Sequence, residues 1–252
     1  MDAPKVNRYP ITIDGETVLI GTANELAIAL DVLQGQFDRE ALSQLSPHLA
    51  EIIAHAYGFT TAMRSLSVED QIFLIQAIGP DHLPGVMQNA RHLRDILATL
   101  ADQSVEEALV NTLGTSGLQH LIMNGVELAE VLEWVYGQCD AMVLDLLGDA
   151  ALRRLCRYAS DLSAVLHSLD FSLQARLLER LGWPFVVGLV IDGRDLAYLL
   201  RSLPPQNSAQ LLNHFSGPRL KTLIGNADDW DYLYRRLEPS EAELLVKLLA
   251  GQ

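Results

Sequence analysis

With 252 residues, 49% of them hydrophobic, the chain is long enough to bury a sizeable core. Its formal charge of −14 argues against nucleic acid, whose phosphates are held mainly by Lys and Arg. No run of 18 apolar residues occurs, which excludes a membrane-spanning helix and leaves no expectation of membrane insertion.

Residues 1–23 differ from everything after them. The opening MDAPKVNRYP lacks an apolar signal core, so no secretory leader is visible, although a type III or type IV export signal would not show by this test. Tyr9 to Ile13, an Asp14-Gly15 pair, and Glu16 to Ile20 alternate in a way that predicts a β-hairpin. A competing reading makes 18–26 the tail of a degenerate repeat, because it resembles 222–230. Either way the segment is expected to cover the open apolar end of a stack.

From residue 24 onward the chain repeats itself every 34 residues, in segments 24–56, 57–90, 91–125, 126–159, 160–193, 194–227 and a shortened 228–252. In 194–227, Leu196, Leu199, Leu200 and Leu203 form one helical stripe, which Pro204 and Pro205 end. Ala209, Leu211, Leu212 and Phe215 form a second stripe, and Leu220, Leu223 and Ile224 a short third. The preceding repeat places Leu162, Val165, Leu166 and Leu169, then Leu177, Leu178 and Leu181, then Val187, Val190 and Ile191 in the same columns. No such module buries its own stripes, so neighbours must stack. The expected fold is all-α: one domain, a right-handed α-solenoid of about seven helical repeats.

Several columns carry polar chemistry. Asn24, Ser160, Asp192 and Asp228 precede the first stripes and are expected as helix N-caps. Glu25, Glu127, Asp161, Asp195 and Asp229 follow one column on, where a carboxylate suits the positive end of the helix dipole; a cation ladder is the competing reading. Arg64, His167, Arg201 and Arg235 share a third column, with Arg236 beside the last and with Ala98 and Glu133 interrupting it. These residues are candidates for a groove that takes an acidic peptide or helix; the alternative is a solvated helix face. Trp230 and Tyr234 fall on stripe columns and are expected in the core. Tyr232 falls off the stripe and is a candidate contact residue, making the last repeat a candidate homodimer or partner surface.

No enzyme constellation is found. The seven histidines make no HExxH; His48 and His55, seven apart, could share a helix face but have no third ligand nearby. Glycine-rich phosphate loops and GxSxG are absent. Cys139 and Cys156 match no metal or redox spacing and read as packing residues of a reducing, cytoplasmic compartment. The charge is uneven: residues 1–150 hold 6 Lys/Arg against 21 Asp/Glu, and 151–252 hold 12 against 11.

The phrase DLAYLLRSLPPQNSAQLL at 195–212 resembles the cytosolic N-domain of the magnesium transporter MgtE and, more loosely, HEAT-like and flagellar motor-switch superhelices. That resemblance implies a right-handed helical superhelix used for contacts or regulation, and it carries no site residues over. Together these readings lead to the expectation of a non-enzymatic protein- or peptide-binding scaffold without cofactor. The alternatives are a regulatory or sensor module controlled by divalent cations or self-association, and a bacterial effector acting on host proteins.

Overall fold

The computed structural model describes residues 7–33, 35, 37–225, 227–235 and 237–250. They are almost wholly helical apart from one two-stranded sheet. In chain order the elements are β1 (Tyr9–Ile13), β2 (Glu16–Ile20), α1 (Ala23–Leu33), α2 (Asp38–Leu45), a 3-10 turn (Ser46–His48), α3 (Leu49–Ile52), α4 (Ala56–Met63), α5 (Val68–Ile78), α6 (Leu83–Met87), α7 (Ala90–Leu97), α8 (Gln103–Leu121), α9 (Gly125–Leu132) and α10 (Cys139–Leu155). Then follow α11 (Ala159–Ser168), α12 (Phe171–Leu181), α13 (Trp183–Gly188), α14 (Gly193–Ser202), α15 (Pro205–Asn213), α16 (Gly217–Leu223), α17 (Ala227–Tyr234) and α18 (Pro239–Ala250). Contacts divide the chain into two compact units: Met1–Ile122 with Trp134–Leu146, and Met123–Glu133 with Leu147–Gln252.

In the first unit the hairpin forms as its alternation predicts. Asp14 and Gly15 take φ of 52° and 84°, the left-handed pair that a tight two-residue turn requires. Register runs from Tyr9 opposite Ile20 to Ile13 opposite Glu16, so Ile11 and Ile20 share one face, and both are buried. β1 packs on α2, Tyr9 O–H donates to Glu51, and the Tyr9 ring stacks on His48 at 3.8 Å. Helices then meet helices a short way along the chain: α1 with α4 and α4 with α7, and α2 with α5 and α5 with α8. The second unit continues the habit, with α9 on α11, α11 on α14, α14 on α17 and α15 on α18.

The apolar stripes are the reason. Leu162, Val165, Leu166, Leu196, Leu199, Leu200, Leu211 and Leu212 are all buried, each contributing about 1.5–3 kcal/mol on removal from water. The chain breaks where proline or glycine stands. α14 ends at Ser202 and Pro205 opens α15, its missing N–H costing nothing at a helix start. Gly114 and Gly148 interrupt α8 and α10 with φ of 57° and 72°, so the third apolar segment follows each without a loop.

Asp192 caps α14 as expected, but two other starts come two residues early: Thr22 and Tyr158 stand at N-cap positions while Asn24 and Ser160 lie inside α1 and α11, and Asp228 lies inside α17. Close approach decides this. A Cβ on Gly125, at the start of α9, would lie 2.6 Å from the Asp161 Cβ on α11; one on Gly58 of α4 would lie 2.9 Å from that of Ala23 on α1. First-turn positions must be small for neighbouring helices to meet there. Two stripe assignments also move: Ile191 is exposed, because it precedes the cap Asp192, and Tyr234 is exposed on the outer side of α17.

Candidate functional site

The cationic column survives as a surface feature of the second unit. His167 near the end of α11 and Arg201 near the end of α14 each follow a buried leucine, Arg235 just beyond α17 follows the exposed Tyr234, and all three are themselves exposed. Because α11 packs on α14 and α14 on α17, they sit at one register on consecutive helices. His167 Nδ1 lies 3.0 Å from the Ser163 carbonyl. Arg235 pairs with Asp231 at 2.8 Å, one turn earlier on its own helix. The Arg201 guanidinium has no ion pair among the described residues. Arg64 occupies the equivalent place after α4, exposed, in the first unit. Arg236 lies outside the described residues. Tyr232 is half-buried rather than presented to solvent, its ring 6.0 Å from the Arg194 guanidinium carbon. Trp230 stacks on Tyr234 at 5.7 Å, and Tyr234 is 54% exposed.

The acidic column has a local role. Glu25, Glu127 and Asp195 accept the backbone N–H of Gly21, Met123 and Ile191 at 2.7–3.0 Å, while Asp161 accepts that of Tyr158 at 3.3 Å. Asn124 and Asp192 accept in return from Glu127 N–H and Asp195 N–H. Asp161 closes back on the amide of the cap Tyr158 as in a capping box, while Glu25, Glu127 and Asp195 tie down the amide one residue before their caps. Burial pushes Asp161 and Asp195 above the usual carboxylate range, the amide contacts opposing it. Asp229, fifth in the column, lies outside the described side chains. Among the described residues no group of three or more His, Cys, Asp or Glu could hold a metal ion. His48 and His55 do not share a helix: His48 ends the 3-10 turn, and His55 caps α4 by accepting Gly58 N–H at Nδ1, 3.0 Å away.

A column of buried or half-buried polar residues was not read from the sequence. Gln71 Nε2 donates to the carbonyls of Met63 and Leu66, and Gln174 Nε2 to those of Leu166 and Leu169, at 2.7–3.2 Å. Ser208 donates to the carbonyls of Leu200 and Leu203. In each case the donor reaches eight and five residues back, fastening the second helix to the end of the first. The 34-residue spacing from Gln174 to Ser208 was a usable signal, masked by the apolar residues around it. Asp38 and Glu106 stand at corresponding places and are buried. Burial, then the nearby Asp70 charge, raises Asp38 above the usual carboxylate range, with a weak opposing pull from the Gly35 amide. Burial also raises Glu106, which accepts Tyr136 N–H at 3.1 Å. Cys139 beside it and Cys156 are buried thiols, each pushed up to about 12 chiefly by burial.

Two apolar grooves remain on the surface. One, of about 570 Å³, lies between the hairpin and α1 and is lined by Ile13, Val18, Leu19, Ile28, Val32 and Phe37 among others. The other, of about 540 Å³, runs from Tyr234 and Leu237 to Ala242 and Val246. No helix among the described residues is long and apolar enough to cross a membrane. No family model matches the chain, and neither a curated protein nor a solved structure is found to be similar to it.

Proposed function

We propose that the protein is a non-enzymatic scaffold, a right-handed α-solenoid of about seven 34-residue repeats that binds a protein or peptide along one face. Support for the architecture comes from helix pairs that join near neighbours in the chain, and from N-cap positions His55, Asn89, Asn124, Tyr158 and Asp192, which recur every 34 or 35 residues. The observation that carries the binding reading is the exposed register of His167, Arg201 and Arg235, with no ion pair at the Arg201 guanidinium among the described residues. Planar guanidinium groups repeated along stacked helices suit bidentate contact with carboxylates, so the partner is an acidic helix or peptide. Reversing both arginines, Arg201→Glu with Arg235→Glu, should leave helical circular dichroism unchanged. It should also remove salt-sensitive partners from affinity capture read by mass spectrometry. An identical capture profile would discard this face.

A homodimer through the C-terminal repeat is favoured by one observation, the groove where Tyr234 and Val246 are each about half exposed. Sedimentation of the wild type against Val246→Glu tests it: a dimer dissociated by the charge supports this contact, and a monomer in both removes it.

A further inference from the structure

The two edges of the hairpin are finished differently. On β1 the backbone groups facing away from β2 belong to Pro10 and Thr12. Pro10 has no N–H to offer. Gln44 of α2 occupies both groups of Thr12: Thr12 N–H donates to Gln44 Oε1 at 2.8 Å, and Gln44 Nε2 donates to the Thr12 carbonyl at 2.9 Å. Antiparallel pairs alternate in their hydrogen bonding, and Thr12 stands opposite Thr17 and Pro10 opposite Leu19. The outward groups of β2 are therefore those of Thr17 and Leu19. No described residue hydrogen-bonds to them. One edge is closed and the other is open, and an open edge is a template for another strand.

What lies beside the open edge is apolar. Ile28 and Val32, one turn apart on α1, are 66% and 75% exposed, and Val18 on the same side of the sheet is 48% exposed. These residues line the groove of about 570 Å³. A third strand against β2 would lay alternate side chains over Ile28 and Val32, much as Ile11 and Ile20 already bury theirs. The charged groups lining the groove are all acidic: Asp14, Glu16 and Glu25. Arg8 pairs with Glu25 at 2.7 Å, while Asp14 and Glu16 have no ion pair among the described residues.

We infer that the β2 edge and the α1 groove dock an extended basic segment of a partner protein, which adds as a strand with apolar side chains at alternate positions and Lys or Arg between them. A second copy of this chain fits less well, because it would bring another Asp14 and Glu16 into a groove that already holds two uncompensated carboxylates. The inference goes beyond the Arg201 and Arg235 face: it concerns other residues and the opposite partner charge, so failure of either leaves the other standing.

The test uses the full chain and a fluorescein-labelled peptide, Lys-Val-Thr-Val-Lys-Val-Arg, with Glu-Val-Thr-Val-Glu-Val-Glu as its acidic counterpart. The basic peptide should bind saturably, at least about tenfold tighter than the acidic one, and weaken with salt. Amide hydrogen exchange at Thr17 and Leu19 should slow in the complex. Leu19→Pro, which places a second proline opposite Pro10, should reduce affinity at least about tenfold, as should Ile28→Asp. The Ile28→Asp variant alters an exposed helix position and keeps the test decisive if Leu19→Pro does not fold. The proposal is overturned by absence of binding, by equal affinity for the two peptides, by unchanged exchange at Thr17 and Leu19, or by wild-type affinity in Ile28→Asp. A dimer in sedimentation that Leu19→Pro dissociates would assign the edge to a second copy and overturn it equally.

Discussion

Asp38 and Gln174 lie sixteen residues beyond the caps Thr22 and Tyr158, at the start of a second helix that packs against the first. Gln174 donates to the Leu166 and Leu169 carbonyls at the end of α11. Asp38 is fully buried, and among the described residues neither of its oxygens has a hydrogen-bond donor at normal distance, the Gly35 amide pulling only weakly. The two buried sites carry opposite polar chemistry. Packing thus fixes where a polar residue must sit, while its identity sets only local stability. Within the strongly acidic stretch the column holds carboxylates at Asp38 and Glu106 but the donor Gln71 between them, and the later part has the donors Gln174 and Ser208.

That contrast can be broken from either side. The largest effect is expected from Gln174→Glu, which installs the Asp38 chemistry in the second unit. A buried charge without compensation should cost about 3 kcal/mol at neutral pH, read as a lower urea midpoint, and much of the loss should return on acidification. A midpoint equal to wild type would mean that Gln174 is no fastener. The converse change, Asp38→Gln, supplies a donor and removes a buried charge. It should raise stability at neutral pH by about 1 kcal/mol, and a loss instead would show that Asp38 is held by a contact of its own.

The pH dependence sharpens the comparison. Asp38, Glu106, Asp161 and Asp195 have folded pKa values raised, first by burial. Their contribution is fully present below the ordinary carboxylate pKa and is lost as pH rises through the raised folded values. Asp102 and Asp170 run the other way. Hydrogen bonds hold them low, from Ser104 at Asp102 and from Leu173 N–H and the Ser172 hydroxyl at Asp170, so their contribution is lost as pH falls through the depressed values. The urea midpoint should therefore rise from pH 7 toward pH 5 before acid unfolding sets in, and Asp38→Gln should flatten that rise. A wild-type midpoint that falls steadily over the same interval would contradict the burial of these groups. The smallest signal is chemical: Cys139 and Cys156 should resist a thiol reagent at pH 8 until urea unfolds the chain, and prompt labelling of either would place it outside the core.

Helix faces were legible because burial at i, i+3, i+4 and i+7 leaves a periodic trace, and every position from Leu196 to Leu203 in that pattern is buried. The hairpin was legible because Asp14-Gly15 favours the left-handed geometry its turn needs. The caps were misplaced because Asn24 and Ser160 have good cap propensity, whereas the start was decided by the small residues Ala23 and Ala159 behind them. His48 and His55 looked like a helical pair only until the chain turned between them. Tyr234 carries a core residue's spacing without a described helix on its outer side.

By itself, then, the amino-acid order determined the period, the apolar faces and the turn at residue 14, since each depends on neighbours within a few residues. Only the folded arrangement decided that Gln44, thirty-two residues away, closes one strand edge while no described residue closes the other, and that Ile28 and Val32 stay exposed beside it. Those outcomes depend on which distant groups meet, and a local pattern of hydrophobicity carries no record of that.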